Sequence, residues 1–127
     1  MDGGKNRQRK ILVVDDEDDV RTFLSGVLER AGYLTVVAAD GEEAFDIVER
    51  ERPAVIILDL QMPNQTGTQF YRRLHNHHEL ADIPVIVVSG IAGRHLAVRE
   101  PFAVFDKPID PDEFIAAVER AVGEAVA

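Results

Sequence analysis

The chain contains no cysteine. Disulfides and thiolate metal sites are thereby excluded, and a reducing compartment is the natural setting. Positive charge is also scarce: 14 Lys and Arg stand against 23 Asp and Glu, a formal net charge of −9. Such a surface repels phosphate backbones, so no direct nucleic-acid partner is expected. No apolar run approaches the roughly 20 residues of a membrane span. The stretch Met1–Lys10 is polar and basic, with no apolar run behind it as a secretory signal would need. Together these absences point to a cytoplasmic protein without a membrane segment. Internal repeats, low-complexity segments, a Walker-type loop and a G-x-G-x-x-G fingerprint are missing too.

What is present is 127 residues, 46% of them hydrophobic, enough for one domain with one sizeable core. Residues 1–9 read as a solvated tail and 10–127 as the domain, with no output domain after it. Five short runs rich in Val and Ile recur along the chain: Ile11–Val14, Thr35–Ala38, Val55–Leu58, Val85–Val88 and Ala103–Phe105. Runs barely broken by polar residues fit strands buried on both faces of a parallel sheet.

Helical patterns lie between them. Val20, Phe23, Leu24, Val27, Leu28 and Ala31 fall on one face of a helix, and Gly32 follows as a stop. Asp40 precedes Gly41-Glu42-Glu43 as an N-cap, and Asp110-Pro111-Asp112-Glu113 repeats that logic. A third helix is expected around Gln65–His75, anchored by Phe70 and Leu74, and a short, weakly patterned one between Gly93 and Arg99. In the last helix, Phe114, Ile115, Val118, Ala121, Val122 and Ala125 form the apolar face. The order is (βα)5, which predicts a doubly wound, flavodoxin-like α/β fold with a parallel five-stranded sheet in the order 2-1-3-4-5.

Open α/β sheets bind ligands at the carboxyl ends of their strands. Asp15 and Asp16 follow the first run, Asp59 the third, Ser89 the fourth, and Asp106 and Lys107 the fifth. Carboxylates, one hydroxyl and one ammonium could thus converge on one crevice. Crowded carboxylates repel each other, and a divalent cation resolves the conflict. Oxygen ligands with sites left for water suit Mg2+ better than zinc. A metal, a lysine and a hydroxyl around one further carboxylate is an arrangement for phosphoryl transfer.

The segments ILVVDDE, LDLQMPNQTG, VIVVSG and FDKPID, in this order and spacing, resemble the response-regulator receiver family of two-component signalling, over about Lys10 to Ala125. The resemblance implies a phosphorylation-controlled switch, not a turnover enzyme, that catalyses its own aspartate phosphorylation and dephosphorylation. By it, Asp59 is the phosphoacceptor, and the phosphoryl donor is a histidine kinase or a histidine phosphotransferase. Asp16 is a direct Mg2+ ligand, Asp15 acts largely through water, and the Gln61 backbone carbonyl is a further ligand. Lys107 pairs with the phosphoryl oxygens and Ser89 is the hydroxyl switch. Phe105 is the aromatic switch, although a plain core role is as compatible with its position. The Lys107–Pro108 peptide is expected to be cis, and output is expected through contacts with a downstream protein that the sequence does not name. One departure stands out. The segment from Ser89 to Lys107 is shorter than usual in the family by about one helical turn, so the helix within it is expected to be abbreviated or irregular.

Two other functions compete. A pseudo-receiver that takes no phosphate is disfavoured by the intact set Asp15, Asp16, Asp59, Ser89 and Lys107. A magnesium-dependent phosphatase would need a substrate-covering cap for which the chain has no room. Asp18 and Asp19 read as helix-start residues. Gly67 and Pro63 read as loop punctuation, and His75, His77 and His78 as a solvated turn without matching ligands. Gly26, inside the first helix, is either tolerated on a solvent face or makes room, with Ser25, Asp19 and Thr22, for a partner helix.

Overall fold

Each of the five runs is extended by one residue at one end once its backbone pairing is seen, and alternating helices cover both faces of the sheet they form. The computed structural model describes residues 9–60, 62, 66–89 and 101–126. The elements are β1 (Lys10–Val14), α1 (Asp18–Arg30), β2 (Leu34–Ala38), α2 (Gly41–Glu51), β3 (Val55–Asp59), α3 (Thr66–His75), β4 (Val85–Ser89), β5 (Ala103–Asp106) and α4 (Pro111–Val126). All pairings are parallel and the strand order is β2-β1-β3-β4-β5, as the alternation predicts. The expected helix at 93–99 lies outside the described residues, as do Gln61, Pro63 and Gln65.

Period-two alternation sorts the strand residues into two cores. Leu12, Val14, Ile56, Leu58, Val85 and Val87 pack with Ala44, Phe45 and Val48 of α2 and Phe70, Tyr71 and Leu74 of α3. Ile11, Val13, Val55, Ile57, Ile86 and Val88 pack with Leu24, Val27 and Leu28 of α1 and Phe114, Ala117, Val118 and Ala121 of α4. The central strands β1, β3 and β4 are buried on both faces, but the edge strands are not. Leu34 and Val37 of β2 and Val104 of β5 are exposed, because an edge strand has a neighbour on one side only.

The caps follow their sequence signals. Asp40 Oδ1 accepts the Glu43 N–H at 2.8 Å, and Glu43 Oε1 accepts the Ala39 N–H at 2.7 Å. Asp110 Oδ1 accepts the Asp112 N–H at 2.8 Å. Gly32, at φ 99°, ends α1: its N–H donates to Glu29 O at 3.0 Å and the Tyr33 N–H to Leu28 O at 3.1 Å. Three expectations need correction. Phe23 does not join the buried face of α1 but is 45% exposed. In α4 the apolar face rotates so that Ala117 is buried while Ile115 is only half-buried. Gly67 belongs to the first turn of α3 and not to the preceding loop.

Candidate functional site

Register brings the polar strand ends together. Val14 pairs with Leu58, so Asp15 and Asp59 stand side by side just beyond that pair. Asp59 in turn pairs with Val88, Val88 with Phe105, and Ser89 with Asp106. The chain reverses direction across the sheet between β1 and β3, which is where a doubly wound fold opens its crevice.

Asp15 and Asp59 are 1% and 2% exposed, the two buried charged residues among those described. The Lys107 ammonium, on the loop after β5, lies 3.5 Å from Asp15 Oδ2 and 3.6 Å from Asp59 Oδ2. These are ion pairs rather than short hydrogen bonds, so one ammonium is shared between two carboxylates. The Lys107–Pro108 peptide is cis, as the family resemblance implies. Asp15 Oδ1 accepts the Glu17 N–H at 2.9 Å, and the Arg21 Nη1 donates to the Asp15 main-chain oxygen at 2.5 Å.

Asp16 and Glu17 are exposed at the mouth of the crevice. A ligand oxygen of each lies within 4.8 Å of one from Asp15 and from the other. Asp15 Oδ2 is buried and accepts no hydrogen bond, an arrangement that leaves it available to a cation. The donors are all oxygens of carboxylates, some buried and some open to water, which fits a hard divalent ion such as Mg2+. Sequence reasoning missed Glu17 and Arg21. The first stood in plain view in Asp15-Asp16-Glu17, and the second was detectable only as an arginine three residues after Asp18.

Phe105 is half-buried and meets Phe114 edge-on, with ring centroids 5.9 Å apart and planes at 77°. Ser89 ends β4 beside Asp106, and Asp106 itself is exposed. Gly67 packs directly behind Asp59: a Cβ there would sit 2.8 Å from the Asp59 carbonyl oxygen and 3.2 Å from Met62 Cε. Among the described residues the His75–His78 turn forms no metal cluster. His75 stacks on Tyr71 and His77 Nδ1 accepts the Glu79 N–H.

The family description "response regulator receiver domain" matches residues 11–119. This chain belongs to the response-regulator receiver family. Relatives include Protein Rrf1 of Nitratidesulfovibrio vulgaris, 34% identical over 113 residues, which span 89% of this chain and 82% of that protein. Sporulation initiation phosphotransferase F of Bacillus subtilis is also 34% identical over 113 residues, 87% of this chain and 91% of its own. Among solved structures, the chemotaxis response regulator CheY4 of Vibrio cholerae superposes with a TM-score of 0.79 at 29% identity, covering 89% of this chain and 98% of that one. The receiver domain of a signal transduction histidine kinase from Syntrophus aciditrophicus superposes with a TM-score of 0.83 at 28% identity, with 91% of each chain covered.

A second feature of this receiver lies beside Lys107. Asp19, Val20 and Phe23 of α1 and Lys107, Pro108 and Ile109 line a cleft of about 290 Å3, and exposed Phe23 gives it an apolar wall. Gly26 lies instead along a separate groove with Thr22, Ser25 and Val37. No helix of the described residues is long and apolar enough to cross a membrane.

Proposed function

We propose that the protein is a phosphorylation-controlled switch of the cytoplasm that accepts a phosphoryl group on Asp59 with Mg2+ held by Asp15, Asp16, Asp59 and the Gln61 carbonyl. The observation that carries the reading is the convergence of buried Asp15, buried Asp59 and Lys107 at the switch point of the sheet. An Asp59 carboxylate oxygen attacks the phosphorus of a phosphohistidine. The new P–O bond forms as the P–N bond breaks, and the leaving imidazole nitrogen keeps the electron pair and takes up a proton. Lys107 lies where its ammonium can pair with the transferred oxygens, and by the family resemblance the Ser89 hydroxyl donates to them. The cation, when bound, supplies further positive charge against those oxygens. Phosphorylation adds charge at the crevice and biases the fold between two nearby states, which Phe105 and the Ser89 region relay to a downstream protein.

The donor is a histidine kinase or a histidine phosphotransferase. The cleft bounded by Phe23, Pro108 and Ile109 supports this, because it offers an apolar contact immediately beside Lys107. The likeness to a phosphotransferase of Bacillus subtilis supports a capacity to pass the group onward as well as to receive it.

The deciding experiment incubates the protein with Mg2+ and acetyl phosphate and reads intact mass, with Asp59→Asn and metal-free samples alongside. One base-labile phosphoryl adduct that needs both Asp59 and Mg2+ is expected. If the adduct fails to appear and beryllium fluoride with Mg2+ also leaves the protein unchanged, the pseudo-receiver reading replaces this one.

A further inference from the structure

The helices α2 and α4 begin on capping carboxylates, Asp40 and Asp110. The start of α1 has no such fastening. Glu17 occupies its cap position with extended backbone, φ −98° and ψ 121°, and its side chain makes no capping hydrogen bond. Yet this turn carries Asp15 and Asp16, whose carboxylates must stay aimed into the crevice. Asp15 Oδ1 accepts the Glu17 N–H within the turn, and a longer-range fastening comes from inside the helix. Arg21 Nη1 reaches back to the Asp15 main-chain oxygen at 2.5 Å, while Nη2 pairs with Asp18 in the first turn. The Arg21 side chain is only 16% exposed, against 88% for Asp18, so its better-shielded bond is the one to the strand end. The guanidinium's rigid fork serves both partners at once, which a single ammonium cannot do.

We infer that Arg21 is a positioning residue for the cation site: by holding the Asp15 carbonyl it sets the β1–α1 turn from which Asp15 and Asp16 present their carboxylates. The inference rests on the reading of those carboxylates as a Mg2+ site. Its sign sets it apart from simple electrostatics. A positive charge near a cation site weakens cation binding, so removing Arg21 would tighten binding if charge alone mattered. Removing a strap loosens the ligand geometry and weakens it, as loss of an outer-shell partner does at metal sites.

The test is calorimetric titration of the full chain with Mg2+ at fixed ionic strength, for wild type, Arg21→Met, Arg21→Lys and Asp16→Asn, with metal-free unfolding midpoints measured in parallel. Arg21→Met is expected to bind Mg2+ about tenfold more weakly than wild type. Arg21→Lys, which keeps the charge but not the fork, is expected to fall between the two. Affinity equal to or tighter than wild type in Arg21→Met overturns the inference, as does a lowered unfolding midpoint with unchanged affinity. If Arg21→Met does not fold, Arg21→Lys decides, and wild-type affinity there overturns it. A wild type that takes up no more Mg2+ than Asp16→Asn defeats the cation site itself, and the inference with it.

Discussion

Asp15 and Asp59 face the same ammonium at 3.5 and 3.6 Å while almost wholly buried. One lysine cannot offset two buried carboxylates with Asp16 and Glu17 close by, so without a cation the crevice holds surplus negative charge. Asp59→Asn keeps the shape and removes one charge. It is expected to raise metal-free stability by about 1 kcal/mol, measured by chemical denaturation, and a loss of stability would contradict the surplus. Residues at this scale were legible where chemistry and strand ends coincide, as for Asp15, Asp59 and Lys107. Phe23 was not. Helical periodicity shows which residues share a face, but what covers that face depends on the neighbouring β5–α4 loop.

At the scale of elements, two glycines in helices make opposite demands. Gly26 in α1 has room: a Cβ would meet only Arg30 Nη1, at 3.8 Å. Gly26→Ala is therefore expected to stabilise the fold by about 1 kcal/mol through helix propensity. Gly67 in α3 has none, since its Cβ would press on the Asp59 carbonyl, which β3 holds in the sheet. Gly67→Ala is expected to cost about 1–3 kcal/mol and to disturb phosphorylation at Asp59. Equilibrium denaturation of both variants checks the pair, and equal effects would sink the argument. The sequence reads Gly26 as helical and Gly67 as loop punctuation, and shows neither the room at the first nor the lack of it at the second. Their difference arises because α3 begins against the back of the functional strand end, whereas the outer side of α1 faces an open groove.

For the molecule as a whole, the proposed cation binding is linked to folding. An ion that binds only the folded crevice stabilises it by mass action, by about 2.7 kcal/mol at a hundredfold excess over Kd. Mg2+ is therefore expected to raise the unfolding temperature of wild type, and of Asp16→Asn much less. Identical shifts in the two proteins would place the bound ion elsewhere. The alternation of five Val- and Ile-rich runs with amphipathic helices determined the parallel sheet, its order and the strand ends that carry polar groups, because burial on two faces and right-handed crossovers leave few other arrangements. Tertiary packing decided the rest: that Asp15 and Asp59 share Lys107, that Gly67 must be glycine, and that Arg21 bonds the end of β1. Those facts depend on register and on distances between segments far apart in the chain, which local patterns of polarity do not encode.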